Sequence, residues 1–216
     1  AGDRVLDLGS GAGPFPLQLA RSEPPGQLRI VEMDVVREAL TRTRERMAGR
    51  TDESSGVDVQ FAQADLDGVR GRGSIPFRDG SVDAILLSLV LNYVADPSAL
   101  LAETFRLLRP GGRMVLSSLK RDADISTICV DTIHELRSGR GRSALGAEGE
   151  RRMGESLKRF INDAARLLDF EERGLFRFWD GPELAEMLRG AGYREVAIEP
   201  AFGDPPQALV ARARRC

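Results

Sequence analysis

Short apolar runs alternate with amphipathic stretches along this 216-residue chain. Runs at 4–8, 28–33, 57–62, 82–88, 112–119, 194–199 and 207–213 are rich in Val, Ile, Leu and Ala and predict seven strands. Between them, the stretches 15–22, 35–48, 97–108 and 182–191 predict helices. Strand and helix in alternation point to an α/β fold whose parallel sheet is covered by helices on both faces. Arg109-Pro110-Gly111-Gly112 reads as a helix stop followed by a turn, and Gly192 before Tyr193 reads the same way. No repeat or low-complexity segment interrupts the pattern.

The first strand ends in the most telling stretch, Val5-Leu6-Asp7-Leu8-Gly9-Ser10-Gly11-Ala12-Gly13. Glycines directly after a buried strand let the backbone turn tightly and come close to a ligand. Pro14 and Pro16 then stand where a helix begins. Strand, glycine loop and helix N-terminus form a nucleotide-type cradle. A nicotinamide loop would read G-x-G-x-x-G, but the third glycine arrives early, at Gly13, and Pro14 takes its place. Asp7 would also repel a pyrophosphate. An acidic loop suits a ligand with an amino group and a sulfonium, which favours S-adenosylmethionine. A plain strand-to-helix connector is the competing reading.

Two further acids follow at similar intervals. The second predicted strand ends in Glu32-Met33-Asp34, where an acid in doubly wound folds accepts hydrogen bonds from ribose hydroxyls. Asp34 is the first choice, at the strand's C-terminal end, and Glu32 the second; either could also cap the next helix. The third strand leads into Gln63-Ala64-Asp65-Leu66. Asp7, Asp34 and Asp65 thus fall on one edge of a parallel sheet, which periodic burial alone does not require.

These residues resemble the class I S-adenosylmethionine-dependent methyltransferases, most of all the branch that methylates small molecules, quinone precursors included. The likeness runs from Arg4 to about Leu119, and more weakly over 181–214. It rests on the glycine loop, Asp34, Gln63-Ala64-Asp65, Ile75-Pro76-Phe77-Arg78-Asp79-Gly80-Ser81-Val82-Asp83-Ala84-Ile85 and Leu107-Leu108-Arg109-Pro110-Gly111-Gly112-Arg113. The resemblance implies a Rossmann-like sheet of seven strands in the order 3-2-1-4-5-7-6, the seventh antiparallel. It implies that Asp7, Gly9 and Gly11, with Ser10 and Gly13 in the same loop, hold the methionine portion. Asp34, beside Met33, would hold the ribose. Ala64, Asp65 and Leu66 would hold the adenine, and Ser88-Leu89-Val90-Leu91-Asn92-Tyr93 at the end of the fourth strand would face the methyl group, with Ser88 in the cofactor site.

One segment exceeds that fold. Residues 120–180 separate the fifth strand from the helix at 182, far beyond the ~2–6 residues usual for such connections. Apolar spacing predicts helices over 125–136 and 154–168, leading into Phe170, Leu175, Phe176, Phe178 and Trp179. A helical insertion ending in aromatics reads as a lid over an apolar substrate pocket, with an oligomer contact or a satellite core as alternatives.

Composition sets outer bounds. With 42% apolar residues the chain has material for one sizeable core, and a single domain over 1–216 is expected. A net charge of -2 supplies no basic field to attract nucleic acid. The arginines at 137–142 and 212–215 read as solvated loop and tail. Cys129 and Cys216 have no metal-ligand spacing and form no disulfide framework, which fits a reducing, cytoplasmic setting. No apolar run reaches the ~18 residues of a membrane span. Because the chain starts without Met just ahead of a core strand, an excised domain lacking its N-terminal helices is expected, with flanking domains in a longer parent.

Methyl transfer from a sulfonium is an in-line displacement, so the catalytic pattern is weaker than the cofactor pattern. Candidates are Asn92 and Tyr93 after the fourth strand, and His134, the sole histidine, within the insertion. Asn92 orients a substrate but takes no proton at neutral pH, and it stands where many relatives carry histidine. Asp122 and Asp124 could line an acceptor pocket or cap the next helix. No cluster supports a metal. The function expected is S-adenosylmethionine-dependent methylation of a small, partly apolar acceptor. The alternative is a methyltransferase-like module that binds without turnover.

Overall fold

Successive residues of a strand face opposite sides of its sheet, and in this chain both sides are apolar. The computed structural model describes residues 2–19, 22, 26–48, 56–69, 73–124, 170 and 172–216. Within them β1 (Asp3–Leu8), β2 (Leu28–Asp34), β3 (Val57–Gln63), β4 (Val82–Ser88), β5 (Leu108–Leu119), β6 (Arg194–Ala201) and β7 (Ala208–Arg214) build one sheet. Its order is β3-β2-β1-β4-β5-β7-β6. Strands β1 to β5 pair in parallel, and β7 lies antiparallel between β5 and β6. The helices are α1 (Pro14–Leu19), α2 (Arg37–Met47), α3 (Pro97–Leu107) and α4 (Gly181–Gly190).

The larger core gathers Leu6, Leu8, Met33, Ile85, Leu87 and Leu116 from the sheet with Leu100 and Leu107 of α3 and Leu184 and Leu188 of α4. Their sequence neighbours Val5 and Ile30 turn the other way and pack, with Val57, against Phe15 and Leu19 of α1. Each fully buried aliphatic side chain contributes about 1.5–3 kcal/mol. Two-sided burial is why these strands read as unbroken apolar runs. Among the described residues no helix is long and apolar enough to cross a membrane.

The seven strands and four helices stand where the sequence places them, with instructive differences at their ends. Helix α2 starts at Arg37, two residues late, because the Asp34 carboxylate takes the Val36 N–H at 2.8 Å and keeps Val36 extended. Strand β5 starts at Leu108, not 112. It advances from Leu108 to Arg113 while β4 advances only from Val82 to Ala84. The Pro110-Gly111-Gly112 stretch is therefore a bulge inside the strand, with Gly111 at φ 76, and not a turn ahead of it.

The arginine tail also departs from expectation. Arg212 and Arg214 lie in β7 and pair with Glu199 and Glu195 of β6. Arg215 donates to the carbonyls of Phe105, Arg106 and Leu108 at 2.9, 2.8 and 2.7 Å, closing the C-terminal end of α3. The expected helices at 125–136 and 154–168, the arginines at 137–142, Cys129 and His134 lie outside the described residues. The aromatic end of the insertion is described: the backbone N–H of Trp179 donates to the Leu119 carbonyl at 3.4 Å, and the residue bridges to Lys120.

The segment before β4 is held by a buried ion network. Glu103 of α3 accepts from the N–H groups of Gly73 and Ile75, and Arg106 bonds Glu103, Asp79 and the carbonyls of Ile75 and Phe77. Burial alone would raise the Glu103 carboxyl, but Arg106 and the two backbone donors together hold it below its usual value. Removing one member strands the others. Glu103→Ala is expected to lose about 3–5 kcal/mol in urea unfolding, and a loss below about 1 kcal/mol would show the network to be dispensable. A depressed carboxyl stabilises above its unfolded value near pH 4.5 and loses that contribution as pH falls through the folded one. Glu103→Gln should accordingly flatten the acid limb of the stability curve.

Candidate functional site

The chain leaves β1 through a loop pinned from β2. The N–H groups of Gly9 and Ser10 both donate to the Met33 carbonyl, at 2.7 and 3.1 Å, and the Gly11 N–H donates to Asp34 Oδ2 at 2.8 Å. Gly9, Gly11 and Gly13 all take positive φ, at 74, 55 and 64°. Their surroundings differ. A Cβ on Gly9 would lie 2.3 Å from Val90 Cγ2 and one on Gly13 2.1 Å from Thr43 Cγ2, whereas one on Gly11 would meet nothing within 4 Å. Gly9 and Gly13 serve packing; Gly11 opens to free space, as a residue does where a ligand approaches the backbone.

Beside this loop a cavity of about 400 Å³ is lined by Gly9, Asp34 to Val36, Ala64 to Asp67, Ser88 to Val90, Tyr93 and Val94. These residues follow the C-terminal ends of β1, β2, β3 and β4. Its wall carries exposed apolar side chains: Val35 and Val36 after β2, Leu89 and Tyr93 after β4. Asp34 accepts from Gly11 and Val36, which leaves about half of its four lone-pair sites free for further donors. Asp65 caps the short 3₁₀ turn Leu66–Gly68 by accepting from the Asp67 N–H at 3.0 Å, and Asp67 in turn accepts from the Ala95 N–H at 2.6 Å. The acids thus set the cavity's shape as well as lining it.

Behind the loop, Asp7 and Glu32 are register partners on β1 and β2 and are 2% and 0% exposed. Burial, then the neighbouring acids, push both carboxyls well above the usual carboxylate range. Glu32 does not line the cavity, whereas Asp34, the other acid at the end of β2, does.

At the end of β4, Ser88 Oγ lies 3.3 Å from Ser117 Oγ of β5. Leu89 adopts φ 57, a left-handed conformation costly for a branched residue, held by its N–H to the Ser117 carbonyl at 3.1 Å. Its side chain consequently projects at the cavity. Asn92 is 1% exposed and lies outside the cavity lining; its amide donates to Ser118 Oγ at 3.0 Å and to the Arg177 carbonyl at 2.6 Å. It ties the segment at 175–178 to the β4–α3 loop. Tyr93 does line the cavity and stacks edge-on against Phe176 at 4.8 Å, which meets Phe178 at 4.9 Å.

Of the residues expected from sequence, Gly9, Asp34, Ala64, Asp65, Leu66, Ser88 and Tyr93 come together around the cavity. Asp7, Ser10 and Gly13 lie buried behind it, and Met33 turns its side chain into the core and offers only its carbonyl. Asp122 pairs with Lys120 at 3.3 Å, and the Asp124 N–H donates to Gln207; neither lines the cavity. Leu89 and Val90, expected with the rest of 88–93 at the end of the fourth strand, also line the cavity, whereas the sequence pattern did not single out Val35, Val36, Asp67 or Val94. Val35-Val36, two β-branched residues between an acid and a helix, carried a signal for extended backbone. Among the described residues no group of His, Cys, Asp and Glu could hold a metal ion.

The methyltransferase domain family matches residues 6–116. An arsenite methyltransferase of Halobacterium salinarum is 32% identical over 122 residues, which cover 56% of this chain and 28% of that protein. A demethylmenaquinone methyltransferase of Clavibacter sepedonicus is 29% identical over 196 residues, covering 91% of this chain and 67% of that protein. This chain thus spans under a third of the first and two thirds of the second. The CurJ carbon methyltransferase superposes with a TM-score of 0.64 at 17% identity, covering all of this chain and 49% of that one, which bears out the fold.

The glycine loop offers a direct test of this geometry. Gly11→Ala should lose only the ~1–2 kcal/mol of its left-handed backbone, whereas Gly13→Ala should lose ~1–3 kcal/mol more through the clash with Thr43, as read by urea unfolding. Equal losses would contradict the packing described.

Proposed function

The chain belongs to the methyltransferase domain family, and we propose that it transfers a methyl group from S-adenosylmethionine to a small, partly apolar acceptor. The observation that supports this most is the convergence of four strand ends on one cavity, with Gly11 open beside it and Asp34 holding unused acceptor capacity. The cavity fits an adenosine: acids at Asp34 and Asp65 for hydroxyl and amino donors, and Val35, Val36 and Leu66 for a ring face. When bound, the cofactor supplies an electrophilic methyl carbon on a sulfonium.

The chain's own part is alignment and exclusion of water. Gly9 and Gly11 place backbone against the methionyl group, and Asp34 orients the ribose. Leu89, Val90 and Tyr93 present an apolar wall on the β4 side, where the acceptor approaches, and Phe176 braces Tyr93. Asn92 acts by positioning, since its amide holds the Arg177 carbonyl. The named relatives act on arsenite and on demethylmenaquinone, and the aromatic wall favours an apolar ring acceptor of the second kind.

A second reading, a module that holds the cofactor without turnover, is favoured by one observation. Around the β4 end the described lining residues Ser88, Leu89, Val90 and Tyr93 include no group that takes up a proton at neutral pH. Methyl release by the full-length protein, assayed against a panel of quinone and other small acceptors, separates the two readings: turnover on any acceptor supports the first, binding without turnover the second.

Titration calorimetry with S-adenosylhomocysteine should show saturable binding, and silence at ~1 mM would count against both readings. Asp34→Ala should weaken that binding by about ten- to a hundredfold, the loss of charge-assisted hydrogen bonds; unchanged affinity would remove Asp34 from the site.

A further inference from the structure

Asp7 and Glu32 stand side by side on adjacent parallel strands, with Asp7 flanked on its other side by Leu86 of β4 and Glu32 by Phe61 of β3. No donor reaches Asp7 Oδ1 or either carboxyl oxygen of Glu32. Ser10, itself 5% exposed, turns its hydroxyl toward Glu32 without closing a hydrogen bond to any partner. Three buried side chains therefore face one another with polar atoms unmet. Leaving such groups unmet is costly, and two bare charges there would be costlier still.

Among the described residues, none supplies a counter-charge to the pair. Asp34, the third acid on this sheet face, adds like charge, although its own oxygens are met by Gly11 and Val36. Helix α1 carries no charged residue at all. From α2, Arg46 is spent on the Ala12 carbonyl at 3.0 Å, and Arg44 stacks over the Phe61 ring at 5.1 Å. Both guanidinium-bearing residues are exposed.

We infer that Asp7 and Glu32 share one proton behind the glycine loop, and that this proton leaves for solvent when a ligand bearing an ammonium group settles on the loop. The ligand half rests on the cofactor reading above; the proton pair does not. Two carboxyls at contact cannot both ionise in a buried site, so one holds the proton and the other accepts it. A cation arriving across the loop offsets the repulsion, and at buried range solvent and salt screen it little. Glu32 then sets the pH range over which the loop accepts a cation. Below that range the pair carries a single negative charge and grips the ammonium more weakly; above it both carboxylates are charged in advance.

The sign follows from linkage. Both groups are raised above their unfolded values, so the folded protein retains a proton that the unfolded chain gives up above about pH 4. With one proton retained, the unfolding constant of the ligand-free protein should rise by up to about tenfold per pH unit from there into the neutral range. Urea unfolding across pH reads this slope in the wild type, and Glu32→Gln should flatten it. A wild-type slope that is flat, or a variant slope that is unchanged, overturns the shared proton without reference to any ligand.

Calorimetry in buffers of different ionisation enthalpy reads the second half. S-adenosylhomocysteine should release a fraction of a proton near neutral pH, and its affinity should climb with pH. 5′-Methylthioadenosine, which keeps the nucleoside but lacks the ammonium, should bind with no proton release. Equal release by both compounds, or none by either, overturns the coupling. Failure of both to bind at every pH overturns the cofactor reading and the ligand half with it, while the unfolding slope still decides the pair.

Discussion

A single carboxylate organises the ligand-facing edge of this protein. Asp34 ends β2 and spends one oxygen on the Gly11 N–H and the other on the Val36 N–H. The first bond draws the glycine loop of β1 against β2; the second delays α2 and leaves Val35 and Val36 extended on the cavity wall. With Met33 receiving Gly9 and Ser10, the loop after β1 is held almost wholly from its neighbour. Each of these bonds contributes only about 1–3 kcal/mol, but together they determine where backbone N–H groups and open space occur. Asp34 is a structural clamp whose leftover lone pairs are what a ribose would use.

The sheet order explains why the cavity lies there. From β1 the chain steps to β2 and β3 on one side and then crosses to β4 on the other. The connections after β1 and β4 therefore diverge, and a crevice opens at their C-terminal ends, the position favoured for ligands in open α/β sheets. Gly9 and Val90 meet across this crevice so tightly that a Cβ on Gly9 would clash. Contact at that point sets how far the β4 loop, with Leu89 and Tyr93, stands from the glycine loop. Leu89 holds its left-handed backbone at a cost of about 1–2 kcal/mol, as side chains directed into functional sites often do.

Much of this was legible in the sequence because burial and turn chemistry are local signals. Apolar runs marked the strands, two-sided in β1 and β2 and alternating with polar residues in β3, and the glycines at 9, 11 and 13 marked the loop. What escaped was non-local. Nothing near Arg215 indicates that it caps α3 more than a hundred residues earlier. The register shift between β4 and β5 turned the Gly111-Gly112 punctuation into a bulge, which only the partner strand reveals. Asn92 looked like a group facing substrate, yet its amide is engaged with Ser118 and Arg177, residues brought close by β5 and by the end of the insertion. Asp34 already ranked ahead of Glu32 from its place at the strand's C-terminal end, and since the two share a sheet face it is the cavity that separates them: Glu32 is fully buried beside Asp7, whereas Asp34 lines the cavity.

Whether the rim built around Asp34 receives an adenosyl amino acid is decided by a crystal structure of the protein soaked with S-adenosylhomocysteine. Both ribose hydroxyls should lie on the Asp34 carboxylate, the adenine between Val35 and Leu66 with its amino group near Asp65, and the amino acid end over Gly11. Electron density for the compound at any other place, or a ribose turned away from Asp34, would contradict it.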